Sequence, residues 1–367
     1  MQTAEIEVIA SHAAEFRPRR FLSNGHLQTI MGNYLPRTSS LPLPEPQLVE
    51  VSPATTGQIS SQVLCHCHWQ PEEVRASRPT AVIVHGLEGS SNSQYVIGNS
   101  NKLWNAGCNI VRMNMRNCGG TEALTPTLYN SALSSDVLAV MHYFIAKHAL
   151  QSMSLIGYSM GGNLVLKLAG ELGTTVPAQL RSVVGVSPAV DLGPSADALH
   201  LPQNRLYELK FLRALLRRFR RKAVLFPRAY DANRAAGIRS LREFDDRVTA
   251  LYSGFTGAED YYYRAAAARV LDRIAVPTLI LHALDDPFIR LTAETREKIN
   301  ANPHITLMES EHGGHCAFLA AQDTTSGYDG YWAEHTLLRF LLDNAAEAVL
   351  EDHVLPDGPT SRGAVTS

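Results

Sequence analysis

Cysteine is too sparse and too scattered in this chain to build a disulfide framework. The five residues Cys65, Cys67, Cys108, Cys118 and Cys316 are odd in number and follow no paired spacing. They read as free thiols of a reducing compartment. The chain also lacks an uncharged apolar run approaching the ~20 residues that a spanning helix needs, and no basic stretch near the N-terminus leads into an apolar run with a small-residue cleavage site. A soluble, cytoplasmic protein is expected. Neither sign of charge is in excess: 33 Lys and Arg face 35 Asp and Glu, a formal charge of -2. That is too little for a field that gathers polyanions, so no nucleic-acid partner is expected. There is no internal repeat. What is present is an ordinary globular composition, 45% hydrophobic and 19% charged over 367 residues. It suffices for one large core with an added segment and rules out a wholly disordered chain.

Prolines crowd the first 60 residues, and 41–46 reads as an extended surface connection, so 1–60 is taken as an N-terminal extension packed on the core. A short β-compatible run follows at 62–69. From residue 80 the chain alternates between apolar, strand-like runs and helical patterns. Strands are predicted over 80–85, 109–115, 152–156, 181–187, 277–282 and 305–309, and helices over 94–106, 134–147, 162–172, 292–301 and 331–345. Continuously apolar strands suit a parallel sheet buried on both faces, which gives an α/β fold with helices on either side of a mostly parallel sheet. The alternation breaks over 191–270, where 206–224 and 261–271 look helical and no strand is evident. Lying between two strands, this segment would form a helical cap over their carboxyl ends. The core is thereby divided into 61–190 and 271–350, and the polar, Gly- and Pro-containing stretch 351–367 is expected to be a loose tail.

The chemistry begins with Gly157-Tyr158-Ser159-Met160-Gly161, a G-x-S-x-G match. A strand runs into it and an apolar helix leaves it, which is the setting of a nucleophile elbow. A glycine-rich helix entry with an ordinary capping serine would share the local sequence. A serine hydroxyl needs a base within reach and a third group to orient that base. The order Ser, acid, His is met by Asp285-Asp286-Pro287 after the strand at 277–282 and by His312-Gly313-Gly314-His315 after the strand at 305–309. Asp286 is favoured over Asp285 because the following proline biases it toward an extended backbone. His315 is favoured over His312 because it follows two glycines. The oxyanion requires two donors: the N–H of Met160, and that of Leu87 in the loop His85-Gly86-Leu87-Glu88-Gly89 after the first core strand.

Six motifs together resemble the YheT-like hydrolases, family 4 of the AB hydrolase superfamily: Asn24-Gly25-His26-Leu27-Gln28-Thr29, His85 to Ser90, Gly157 to Asn163, Arg242-Glu243-Phe244-Asp245-Asp246, Asp285 to Phe288 and His312 to His315. The likeness runs over roughly 16–345. The resemblance implies an α/β-hydrolase fold and a serine esterase with Ser159 as nucleophile, Asp286 as acid and His315 as base. Its expected substrates are carboxylic esters of short or medium acyl chains, or glycerolipids. The chain departs from the family at Arg116-Asn117-Cys118, where Gly commonly precedes the cysteine, and at Cys316-Ala317, where Val-Gly is common. The first is expected to alter only a loop, the second the packing beside His315. Asn24 to Thr29 suggests no chemical role.

Other signals point less far. Cys65-His66-Cys67-His68 has metal-ligand residue types, but alternate residues of a strand face opposite ways and no second cluster follows, so no metal site and no cofactor is expected. The run 209–226 carries Lys210, Arg213, Arg217, Arg218, Arg220, Arg221 and Lys222 among leucines and phenylalanines. A solvated cap face accounts for it, and so does peripheral contact with an anionic membrane. A non-catalytic scaffold that binds a small ligand or partner would share the fold, and a thioesterase or acyltransferase would share the triad.

Overall fold

The computed structural model describes residues 16–56 and 59–351. The stretch beyond 351 expected to be a loose tail, and the first fifteen residues of the N-terminal extension, lie outside the described residues. In chain order the principal elements are α1 (Gly25–Tyr34), β1 (Glu45–Ser52), β2 (Ser61–His68), β3 (Thr80–Val84), α2 (Gln94–Asn105), β4 (Asn109–Met113), α3 (Ser134–His148), β5 (Met153–Tyr158), α4 (Met160–Leu172) and β6 (Leu180–Val186). There follow α5 (Leu192–His200), α6 (Arg205–Leu225), α7 (Ala258–Ala265), β7 (Thr278–Ala283), α8 (Ala293–Ala301), β8 (Ile305–Ser310) and α9 (Trp332–Glu351).

The eight strands form one sheet in the order β1-β2-β4-β3-β5-β6-β7-β8. β1 pairs antiparallel with β2 and β2 with β4; every later pairing is parallel. All residues of β3, β4, β5 and β7 are buried, because helices cover both faces and leave no side that tolerates polar alternation. One face packs Val82, Val84 and Leu155 with Val137, Met141 and Leu164. The other packs Ile83, Ile156 and Leu281 with Val96, Leu103 and Leu337. This is an α/β-hydrolase architecture. The ends of β3, β5, β7 and β8 fall on one edge of the sheet, where loops can meet across strands.

Three of these elements were not legible in the sequence: α5, which lies outside the stretches of 191–270 that look helical, α1 and β1. α1 is inside out: Gly25, Gln28, Thr29 and Gly32 are buried, while Leu27, Ile30 and Met31 are exposed. A reading that places apolar residues inward therefore misses it. β1 buries Val49 alone fully and contains Pro46, so it reads as coil, yet an edge strand accepts both features. The helix predicted over 261–271 stops at Ala265, and short 3-10 turns follow. Asn163 of α4 explains the stop: its Oδ1 accepts from the Ala267 N–H at 2.8 Å and its Nδ2 donates to the Ala265 carbonyl at 2.9 Å, so a side chain takes bonds a further helical turn would need.

Candidate active site

Ser159 stands between β5 and α4 with φ +54° and ψ -116°, a backbone conformation that L-residues adopt only when their surroundings over-determine it. Its N–H donates to the Val186 carbonyl at 2.9 Å, and its own carbonyl accepts from Asn163 and Ala189, each at 3.1 Å. The turn needs glycine on both sides. A Cβ on Gly157 would strike the Gly161 carbonyl, and one on Gly161 would strike the carbonyls of Val84 and His85. The sequence thus fixes the elbow by removing side chains where three backbone segments converge.

Across β3 the turn Gly86 to Gly89 closes with a 3.0 Å bond from the Gly89 N–H to the Gly86 carbonyl. His85 is fully buried; its Nδ1 donates to the Gly86 carbonyl at 2.8 Å and its Nε2 accepts from the Met115 N–H at 3.1 Å, which fixes the tautomer. Burial lowers the pKa of His85 to about 4, so it stays neutral. A trans peptide points its N–H opposite to its carbonyl. By holding the Gly86 carbonyl back, His85 turns the Leu87 N–H outward, where among the described residues it meets no acceptor. Met160 is the first residue of α4 and has no intrahelical acceptor for its N–H. Both line the cavity that Ser159 lines. Glu88, at φ +56°, is gripped by the Arg218 guanidinium of α6 at 2.9 and 3.0 Å, which ties this turn to the helical segment above it.

The structure brings Asp286 and His315 together: Nδ1 of the imidazole lies 2.8 Å from Asp286 Oδ2, and the carboxylate side chain is fully buried. Asp286 Oδ1 accepts from the N–H groups of Phe288 at 3.0 Å and Ile289 at 2.9 Å. Burial opposes the charge, but His315 and these two donors outweigh it and hold the Asp286 pKa below the ordinary carboxylate value. Burial likewise opposes the imidazolium, yet the Cys316 sulfur and the Asp286 carboxylate raise the His315 pKa well above its ordinary value. Asp285 and His312 form a separate, looser contact at 3.5 Å, more exposed than the first pair. Asp285 Oδ1 also accepts from the Gly314 N–H at 2.8 Å, a structural bond that shapes the histidine loop.

Among the described residues no hydrogen bond joins Ser159 to His315. Nε2 of the imidazole instead has the Cys316 thiol at 3.5 Å. That sulfur lies 3.7 Å from the Val186 carbonyl, the acceptor of the Ser159 N–H. Elbow and imidazole therefore flank one carbonyl oxygen with a thiol between them. Beyond the packing beside His315 expected of it, Cys316 is the polar neighbour of the imidazole nitrogen that a base would use.

α1 answers what Asn24 to Thr29 does. The loop carrying His315 has positive φ at Gly313, Gly314, Cys316 and Phe318, and such a loop keeps its shape only if held. The Asn24 side chain caps α1 through the N–H groups of His26 and Leu27. Thr29 Oγ1 accepts from the His315 N–H at 2.8 Å and donates to the Gly25 carbonyl at 2.7 Å. Gln28 accepts from the Leu319 N–H at 2.8 Å and donates to its carbonyl at 3.1 Å. A Cβ on Gly314 would strike the Gly25 carbonyl, and one on Gly32 would come 2.5 Å from the Ala317 Cβ. α1 is a clamp on the histidine loop, with Thr29 holding the backbone of His315. Thr29→Val, which keeps the shape and removes the acceptor, is expected to lower kcat about tenfold with KM nearly unchanged, the cost of one buried hydrogen bond. Thr29→Ser should restore most of the rate. A loss of Tm with unchanged kcat would leave Thr29 a merely structural residue.

The cavity beside Ser159 measures about 120 Å³ and is mostly apolar. Leu192 and Leu199 of α5 and Phe211, Leu215 and Phe219 of α6 supply much of its wall, with Phe288 beside them. Phe288 in turn packs against the His315 ring at 4.4 Å between centroids. Elsewhere, Cys65 and Cys67 point together into the core, where burial raises the thiol of Cys65 well above its ordinary value. His66 contacts Ser91 Oγ at 2.8 Å on the opposite face of β2. Asn117 takes φ +66°, and its Nδ2 donates to the Thr127 carbonyl at 3.0 Å. Asparagine tolerates that conformation.

A serine elbow after β5, a donor turn after β3, and acid and histidine loops after β7 and β8 define an α/β-hydrolase site. The chain belongs to the α/β hydrolase fold family, whose sequence profile matches residues 79–321, and within it to the YheT-like hydrolases. It is 30% identical over 321 residues to YheT of Escherichia coli, covering 84% of this chain and 88% of that protein. It is 31% identical over 245 residues to phospholipase ABHD3 of Mus musculus, covering 66% of this chain and 59% of the mouse protein. Among solved structures, the 2,6-dihydroxy-pseudo-oxynicotine hydrolase superposes with a TM-score of 0.53 at 16% identity, over 88% of this chain and 72% of that one, a likeness of fold alone.

Proposed function

We propose that the protein is a serine hydrolase that cleaves carboxylic esters, of short or medium acyl chains or of glycerolipids, through an acyl-enzyme on Ser159. The observation that carries this reading is the buried Asp286–His315 pair at 2.8 Å, set beside a serine held in an elbow. Asp286 accepts a hydrogen bond from the Nδ1–H of His315 and stays ionised, which holds the tautomer whose Nε2 lone pair can act as base. The imidazole exchanges its contact with the Cys316 thiol for one with Ser159 Oγ as substrate enters; catalytic hydrogen bonds often tighten in this way on binding. Ser159 Oγ attacks the ester carbonyl while Nε2 takes its proton. The oxyanion accepts from the N–H groups of Leu87 and Met160. His315 returns the proton to the departing alcohol, and water repeats the sequence on the acyl-serine.

The apolar wall from α5, α6 and Phe288 favours an aliphatic arm over a charged one. The mouse relative named a phospholipase supports glycerolipids as one source of that arm. A series of nitrophenyl esters from acetate to palmitate, combined with a fluorophosphonate probe, tests the reading. The expected result is a maximum in kcat/KM at medium chain length, with stoichiometric labelling of the protein. Absence of both hydrolysis and labelling in folded protein would instead assign the chain to the non-catalytic scaffolds.

A further inference from the structure

α1 turns four side chains of one helical stripe outward: Leu27, Ile30, Met31 and Tyr34, at spacings of three, one and three residues, are 47%, 43%, 37% and 67% exposed. Nothing among the described residues covers them. Their neighbour is α6. Tyr207 stacks on His26 with ring centroids 5.8 Å apart, and Lys210 Nζ sits 5.3 Å from the centre of the Tyr34 ring. α6 presents its own outward stripe, Leu206, Lys210, Arg213, Arg217, Arg220 and Val224, all exposed. These are the i, i+4, i+7, i+11, i+14 and i+18 positions of one face. None of the four cations has a carboxylate within salt-bridge distance among the described residues, whereas the flanking Arg218 and Arg221 pair with Glu88 and Glu122. An apolar stripe thus lies beside an unpaired cationic stripe, in a chain whose formal charge is -2.

We propose that the joint outer face of α1 and α6 docks on an anionic lipid surface, the cations of α6 meeting headgroup phosphates and the apolar stripe of α1 entering the interface. A face that is merely solvated has no use for four exposed apolar side chains in register. A polyanion in solution would engage the cations and leave the apolar stripe in water; a bilayer surface satisfies both. The position fits the chemistry. Tyr207 also packs against Phe288 at 5.4 Å, and Phe288 packs against His315, so the docked face lies two rings from the imidazole. The opposite side of α6 lines the cavity through Phe211, Leu215 and Phe219. Docking would bring an aliphatic ester from the lipid to the serine; that purpose rests on the ester-hydrolase reading, while the docking itself does not.

The test is co-sedimentation of the full chain, carrying Ser159→Ala so that vesicles stay intact, with vesicles of phosphatidylcholine alone or mixed with phosphatidylglycerol. Retention is expected on the mixed vesicles and not on the neutral ones. The charge reversal K210E/R213E/R217E/R220E is expected to cut partitioning by at least about tenfold. Leu27→Ser with Ile30→Ser is expected to weaken it several-fold at unchanged charge. Equal retention of parent and charge-reversed protein, or no retention of the parent, overturns the proposal. So does displacement from vesicles by an equivalent amount of transfer RNA, which would assign the cations to nucleic acid. Hydrolysis of a water-soluble nitrophenyl ester, assayed with Ser159 restored, reports separately on the catalytic reading.

Discussion

Replacing Ser159 by alanine is expected to abolish turnover, with kcat falling by about six orders of magnitude, the loss seen when an acyl-transfer nucleophile is removed from an intact site. The fold should survive. The Ser159 hydroxyl makes no hydrogen bond among the described residues, whereas its backbone N–H and carbonyl, which alanine keeps, bond to Val186, Asn163 and Ala189. Circular dichroism and Tm should therefore match the parent protein while nitrophenyl ester hydrolysis disappears. Residual activity would come from the Leu87 and Met160 donors and from binding alone. Activity above about one hundredth of the parent level cannot be supplied by those groups. It would point to another nucleophile, and the nearest candidate by geometry is the Cys316 thiol against His315 Nε2.

Asp286→Asn is expected to cost about four orders of magnitude in kcat, because an amide can donate to Nδ1 and so favours the wrong tautomer. It should also move the pH profile in a defined direction. Burial disfavours the imidazolium of His315, and the Cys316 sulfur and the Asp286 carboxylate more than offset that, so its pKa stands above the ordinary imidazole value of about 6.5. The neutral base, and with it the acid limb of kcat/KM, therefore emerges above that pH in the parent protein. Removing the carboxylate takes away one raising influence and leaves burial in place, so the limb shifts to lower pH. The same linkage sets stability. Because the folded His315 pKa is raised, the stabilisation from its charged form is fully present below the ordinary imidazole value and fades as pH climbs through the raised one. A residual activity in Asp286→Asn whose acid limb stays put or moves upward would contradict this account of the pair.

β3, β4, β5 and β7 were legible because they are buried on both faces, which leaves mostly apolar runs with few polar breaks such as Arg112 and Ser154. The elbow was legible because Gly157 and Gly161 are demanded by backbone overlap. Pairing was harder. Asp285 and Asp286 are adjacent, as are the two histidines but for two glycines, and only the folded loops show which carboxylate lies 2.8 Å from which imidazole. α1 escaped because its buried stripe is polar: Gln28 and Thr29 face inward to bond a loop some 290 residues away, and the apolar residues face out. No periodicity rule reveals a helix whose inner contacts are hydrogen bonds. His85 and Asn163 act through the backbone of other segments, the Gly86 carbonyl and Ala265–Ala267, so their types alone carried no signal. The Asn24 to Thr29 motif did mark its place, though not its purpose.

Ester hydrolysis by this protein requires that the Asp286–His315 pair turn Ser159 into an attacking group. The most direct measurement is to quench the protein during the burst phase with a slowly deacylated nitrophenyl ester and locate the added acyl mass by peptide mass spectrometry. A single adduct on the peptide containing Ser159, absent in Ser159→Ala and strongly slowed in Asp286→Asn, is the predicted result. An adduct on the peptide containing Cys316, or hydrolysis without any adduct on Ser159, would contradict it.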